Sequence, residues 1–123
     1  MKNKTNLVYL ATPYSHNDPE IMEQRVYEVN RLAGKLLRKG ILIFSPISHM
    51  HAIAKDFDLN LGWDFWRDYD LTMLHICSKL IVYMQDGWID SVGVIAEIRF
   101  AESIGIPIEY MEKEKNDTDT SKC

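Results

Sequence analysis

Two cysteines in 123 residues, Cys77 and Cys123, are too few to staple a fold, and neither stands in a CxxC pair. Cys77 falls in an apolar helical stretch and Cys123 in a polar tail, so no structural disulfide is expected and the chain reads as reduced and cytoplasmic. Long apolar runs are missing too. Runs such as Ile41–Phe44 and Leu80–Met84 fall far short of the roughly 20 residues that cross a bilayer. The segment behind the charged amino terminus is too short for a signal h-region, so no secretion signal and no membrane partner are expected. Basic charge is scarce: 14 Lys+Arg stand against 18 Asp+Glu, a net charge of -4, whereas a grip on a phosphate backbone calls for an excess of Lys and Arg. A nucleic-acid polymer is therefore not an expected partner, and any related ligand should be small. GxGxxG, GxxxxGK[ST] and a nucleophile elbow are all absent, which leaves dinucleotide and P-loop readings without support.

What is present suits one domain, for 46% of the residues are hydrophobic and the length falls in the usual single-domain range. Leu7–Ala11 reads as a buried strand, broken by the turn and cap residues of Thr12–Asp18. Asp18 as N-cap and Pro19 at the first helical position open an amphipathic helix, whose face carries Met22, Val26, Val29, Ala33, Leu36 and Leu37 as far as Gly40. Ile41–Phe44 is a second strand, ending at Ser45-Pro46; a short helix is expected near Ser48–Asp56 and a loop through Asn60-Leu-Gly62. Trp66, Tyr69, Met73 and Ile76 mark a helix over Trp63–Cys77, followed by a strand at Lys79–Met84 and a loop over Gln85–Asp90. Ser91 caps a further helix that closes on Gly105, and a last strand covers Ile106–Tyr110. Residues 1–111 thus form one domain and 112–123 a polar tail expected to be disordered. The alternation predicts a doubly wound α/β fold, flavodoxin- or Rossmann-like: a mostly parallel sheet of four to five strands with helices on both faces. Ligands of such sheets sit beyond the carboxyl ends of the strands, which selects the loops Thr12–Asp18, Ser45–His51 and Gln85–Ser91.

The richest of these is the last. Ser91 and Gly93 at a helix start offer a hydroxyl, backbone N–H groups and the positive end of the dipole, which suit an anion such as phosphate. The plainer alternative is that Ser91 is an ordinary cap, Gly93 a packing residue and Glu97 a solvated helix position. Val94, Ile98 and Ala101 speak against that for Glu97, because they set it beside an apolar stripe where a carboxylate is desolvated and must be paired or functional. Asp70, one turn after Trp66 and one before Leu74, also lies toward a buried face; Asp64 and Asp68 read as solvated. Two carboxylates from different elements in one dry pocket suit glycosyl chemistry, one meeting the anomeric carbon while the other handles the leaving group's proton. His49 and His51 have His-x-His spacing, yet a zinc site needs three or four ligands with outer-shell support. Loop hydrogen bonds or a contact to substrate fit these histidines better, and neither metal nor cofactor is expected. Trp63, Trp66 and Trp88 default to the core, although Trp88, in a loop at a strand end, is placed to stack on a planar base.

Leu7–Tyr14 at the first strand, Asp70-Leu-x-x-Leu74 before the third, and Ser91-x-Gly93-x-x-x-Glu97 after it together resemble the nucleoside 2-deoxyribosyltransferase superfamily. The likeness runs in the same order up to about Tyr110 and is nearest to small phage and bacterial members and to the branch of nucleoside 5′-monophosphate N-glycosidases. It implies Glu97 as the nucleophile that captures the sugar C1′, Asp70 as the group assisting base departure, and Tyr9 beside both. It further implies Ser91 at a phosphate, since the branch acting on monophosphates has serine where transferases of free nucleosides carry aspartate. Thr12, Ser15 and His16 would assist Ser91, and Trp88 or the Ser45–His51 loop with its His49 would face the base; Tyr14 and Gly93 complete the substrate-binding set. Val94–Ala96 stands where the family often has a second glycine or a threonine, and Cys77-Ser78 where it often has Ala-Asp. The expectation is cleavage of an N-glycosidic bond in a nucleoside 5′-monophosphate or nucleoside, by hydrolysis or by transfer to another base, in a homodimer or larger homo-oligomer. A nucleotide-binding module without catalysis, using the same pocket, is the alternative from another class, and a metal-dependent hydrolase at His49 and His51 a third.

Overall fold

Apolar runs that alternate with amphipathic stretches leave the backbone little choice but a layered sheet. The computed structural model describes residues 5–59 and 62–113. Its elements are β1 (Val8–Ala11), α1 (Pro19–Arg38), β2 (Ile43–Phe44), α2 (Pro46–Asp56), α3 (Trp63–Ile76), β3 (Lys79–Met84), α4 (Val92–Ile104) and β4 (Ile108–Glu112), with one 3-10 turn at Trp88–Asp90. The four strands are all parallel in the order β2-β1-β3-β4, a doubly wound α/β arrangement.

Because successive strand residues point to opposite faces, the sheet feeds two cores. Val8, Leu10, Ile81 and Tyr83 pack with Val26, Val29, Ala33 and Leu36 of α1 and with Ile47 and Met50 of α2. Tyr9, Ala11, Leu80 and Val82 pack on the other face with Leu74 of α3 and with Val94, Ile98 and Ala101 of α4. Helix α3 serves both: Trp66 joins the first cluster and Leu74, two turns later, the second. The residue between them on the same buried face is Asp70.

The helix signals act as local chemistry requires. The Asp18 side chain accepts from Glu20 N at 2.9 Å with Pro19 behind it, and Ser91 Oγ accepts from Val94 N at 3.2 Å. Gly105 adopts φ 78°, the left-handed closure expected at a helix end. Other boundaries move. Helix α2 starts at Pro46, because that proline takes the first helical position instead of merely ending a strand. Strand β2 is only Ile43–Phe44: Ile41 N bonds back to Leu36 O at 3.1 Å, so the front of that apolar run serves as the exit of α1. Leu37 is 52% exposed and lies off the buried stripe of α1. Strand β4 runs over Ile108–Glu112 because the Pro107 carbonyl takes the first contact, from Leu80 N, at 2.9 Å. Glu112 therefore belongs to the sheet and not to the tail. The tail from 114 on, with Cys123, and residues 60 and 61 of the expected loop lie outside the described residues. The buried Cys77 thiol donates to the Met73 carbonyl at 3.2 Å, and among the described residues no helix is long and apolar enough to cross a membrane.

Leu74, 0% exposed, ties α3 to the sheet and to α4. Leu74→Ala is expected to lower unfolding stability by about 2–5 kcal/mol, read from the shift of the urea denaturation midpoint at unchanged slope.

Candidate functional site

Chain connections run from β1 to β2 on one side and cross back to β3 on the other, so the loops leaving β1 and β3 diverge at the sheet's carboxyl edge. Between them opens a cavity of about 800 Å3. Thr12–His16 form one wall; Gly87, Asp90 and the first turns of α4, from Ser91 to Glu97, form another; Trp63, Asp64, Trp66 and Asp70 of α3 face them. Ile47 and Met50 of α2 and Arg25 of α1 close the rest.

Glu97 sits in the apolar stripe of α4, flanked by Val94, Ile98 and Ala101, and is only 5% exposed. The Tyr9 hydroxyl, itself fully buried, donates to Glu97 Oε2 at 2.6 Å from behind the cavity. Burial pushes the Glu97 carboxyl up to about 8; the nearby Asp70 charge adds to this and the Tyr9 hydrogen bond opposes it. Asp70, 3% exposed, is pushed up to about 7 by burial, and its Oδ1 has no hydrogen-bond partner among the described residues. Burial and the charge of Glu97 in turn hold the Tyr9 hydroxyl well above its ordinary range. Two carboxyls that would both be ionised in water thus share one cavity in which each favours its protonated form. Between them they can hold a proton at neutral pH and pass it on.

The remaining residues singled out in the sequence fall into two groups. Thr12, Tyr14, Ser15, His16, Ser91 and Gly93 line the cavity. Ser91 serves as the cap of α4 while keeping a hydroxyl hydrogen to donate. Gly93 has a packing reason: a Cβ there would stand 3.2 Å from the Trp63 ring, which lies over the first turn of α4. His16 Nδ1 accepts from Asp18 N at 2.9 Å, while Thr12 is buried with its hydroxyl oxygen unpartnered among the described residues. His49 and Trp88 do not line this cavity. His49 Nε2 meets Tyr69 Oη at 3.1 Å beside a separate groove between α2 and α3, and Trp88 stacks obliquely on Tyr110 of β4 at 5.8 Å. The left-handed Gly87, at φ 89°, turns the chain into the 3-10 segment that carries Trp88 away. Trp63, Trp66 and Tyr14 are the large aromatic side chains that line the cavity.

Arg25 was not singled out by the sequence. Its guanidinium donates to the carbonyls of Ser15 (2.9 Å), Tyr14 (3.4 Å) and Asp86 (3.0 Å), clasping the two strand-end loops together. The backbone angle at residue 87 calls for glycine, and a Cβ there would also stand 2.8 Å from the Arg25 Nη2 and push the guanidinium from its place. Among the described residues no three His, Cys, Asp or Glu side chains are grouped to hold a metal. Residues 6–113 match the model of a family described as Domain of unknown function (DUF1937). No curated protein matches the chain.

A carboxyl whose folded-state pKa is raised binds protons more tightly in the native than in the unfolded chain, so stability falls as pH climbs from the unfolded value toward the folded one. For Glu97 that window runs from its ordinary 4.5 to about 8. Glu97→Gln keeps an acceptor for Tyr9 and cannot ionise. It is expected to match the parent protein near pH 4 and to exceed its unfolding stability at pH 9 by roughly 3–5 kcal/mol, at about 1.4 kcal/mol per pKa unit. Urea titrations at the two pH values check the sign.

Proposed function

We propose a function from the site itself, since the chain belongs to the DUF1937 family, a domain of unknown function: the protein cleaves the N-glycosidic bond of a nucleoside 5′-monophosphate or nucleoside. The observation that carries this reading is the pair of buried carboxyls, Glu97 pushed up to about 8 and Asp70 to about 7, at one cavity large enough for a nucleotide. The resemblance to the nucleoside 2-deoxyribosyltransferase superfamily points the same way.

In the proposed reaction the pair carries one proton, which rests mainly on Glu97, the weaker acid of the two; the competent form is the minor arrangement with that proton on Asp70, drawn there as positive charge develops on the sugar beside Glu97. Ionised Glu97, its charge supported by the Tyr9 O–H, attacks C1′; the C1′–N bond breaks, its electron pair goes to the base nitrogen, and the Asp70 carboxyl delivers the proton that neutralises the departing base. Water then opens the glycosyl ester at Glu97 with Asp70 taking the proton back, or the nitrogen of a second base does so and completes a transfer. The apolar stripe of α4 has a chemical use here, since a poorly solvated carboxylate is stabilised by the cationic sugar that develops beside it. A 5′-phosphate finds the amino end of α4, the Ser91 hydroxyl and the Arg25 guanidinium on the cavity wall, and a base finds Trp63 and Trp66. A cytoplasmic homo-oligomer in which a second copy completes the cavity belongs to the same proposal.

The test is incubation of the purified protein with each ribo- and deoxynucleoside and its 5′-monophosphate, following free base by chromatography. Glu97→Ala should lower release by about 10³-fold or more and Asp70→Asn by about 10²–10⁴-fold. Release that survives Glu97→Ala removes that residue as nucleophile; nucleotide binding without release from any substrate leaves a sensing module. Because only the singly protonated pair is competent, kcat/KM should follow a bell with its maximum between about pH 7 and 8. Its limbs would belong to the pair rather than to either residue.

A further inference from the structure

Behind the wall formed by Tyr14 lies a polar chain that the proposed chemistry does not use. Tyr14 Oη meets His51 Nδ1 at 2.8 Å, and His51 Nε2 meets Glu23 Oε2 at 3.0 Å. Lys55 Nζ flanks the same carboxylate oxygen at 3.4 Å. The members come from three places: the loop after β1, helix α2 and helix α1. The His51 side chain is only 11% exposed, and its ring stands edge-on to that of Tyr14, with centroids 5.6 Å apart. The hydrogen bond from His51, with Lys55 beside it, holds the Glu23 carboxyl below its ordinary range.

The order of donors follows from the chemistry of the end groups. An ionised carboxylate only accepts, so His51 Nε2 must donate to Glu23. In the neutral ring Nδ1 is then the acceptor, and the Tyr14 hydroxyl donates to it. Its hydrogen committed, the Tyr14 oxygen keeps lone pairs only. At its other end the Tyr14 carbonyl is held by Arg25 at 3.4 Å. A residue of the loop Thr12–Asp18, which lacks regular backbone pairing of its own, is thereby tied to both helices of its face of the sheet.

We infer that His51 and Glu23 are positioning residues for ligand recognition: through the hydroxyl of Tyr14 they fix that side chain as a preset wall of the cavity, offering its oxygen as an acceptor for a ligand N–H or O–H. This rests on the cavity being the nucleotide site proposed above. A wall already ordered in the free protein spares the ligand the ordering of a side chain and loop on binding, so its loss weakens binding more than it slows chemistry.

Tyr14→Phe, His51→Leu, the double variant and His51→Gln can be compared for KM and kcat of base release. Nucleotide affinity is read independently from quenching of tryptophan fluorescence by a nucleoside 5′-monophosphate, Trp63 and Trp66 lining the same cavity. Tyr14→Phe and His51→Leu should each raise KM and Kd about tenfold with kcat within about twofold of the parent. The double variant should be no weaker than either single one, because both break the same link, and His51→Gln, which can both donate and accept, should recover most of the affinity. Full additivity, or a lowered melting temperature at unchanged KM and Kd, would overturn the positioning role. Should His51→Leu not fold, Glu23→Ala carries the same decision, since it removes the acceptor that orients His51 while leaving the Tyr14 hydroxyl in place: a raised KM and Kd at unchanged kcat supports the positioning role, and unchanged KM and Kd overturn it. If the parent protein neither releases base nor is quenched by any nucleotide, the cavity reading fails and this inference with it. If the parent is active and the variants bind as it does, only the positioning role fails.

Discussion

The hydrogen bond from Tyr9 to Glu97 joins residues 88 positions apart and holds a carboxyl inside an apolar stripe. Its two ends sit in the core that β1, β3, α3 and α4 share, so it exists only when the sheet has its order and α4 has docked. Burying a carboxyl there without a partner would be among the most destabilising choices available to this chain. With a tyrosine hydroxyl pointing at it, and with protonation as the other outlet, the arrangement becomes tolerable. Much of the design around it can be understood as keeping that spot dry on one side and open on the other.

Helix α3 supplies the openness. A helix lying wholly on one face of the sheet would bury its apolar stripe in one core, whereas Trp66 and Leu74 belong to different cores. Passing from one to the other, α3 brings the face between them, and with it Asp70, to the cavity. The crossover that separates the β1 and β3 exits makes the space that α3 then roofs. The catalytic pair of the proposed reaction is thus built from two regular helices, which hold a carboxyl more rigidly than loops do.

Side chains whose burial is encoded in helical spacing were legible from the sequence. Glu97 betrays itself by lying among Val94, Ile98 and Ala101, and Asp70 by lying a turn from Trp66 and a turn from Leu74. Strands and helices were legible for the same reason, since periodicity and cap chemistry are local. What depends on where a loop turns was not. Trp88 had the better claim, in a loop at a strand end, yet the left-handed Gly87 turns the chain so that Trp88 meets Tyr110, while Trp63, expected in the core, lies at the cavity. His49 sits on α2 two residues before His51, yet it turns to Tyr69 while His51 turns to Tyr14. Arg25 gave no signal, because an arginine on an amphipathic helix reads as solvated until three carbonyls from two distant loops converge on it.

That convergence bears on how the cavity keeps its shape. Neither the loop from Thr12 to Asp18 nor the turn at Asp86-Gly87 belongs to the sheet, so only side chains can hold the two at a fixed separation. Arg25 does so from α1 with one planar group, whose fork geometry lets it serve carbonyls on both sides at once. A lysine in its place would offer a single point of attachment, and a side chain at 87 would displace the guanidinium. The Tyr14–His51–Glu23 chain restrains the same loop from its other flank. Set between two polar restraints and packed on the core through Tyr14, the wall opposite α4 has its direction fixed by hydrogen bonds as well as by apolar contact, which suits the polar ligand proposed for it.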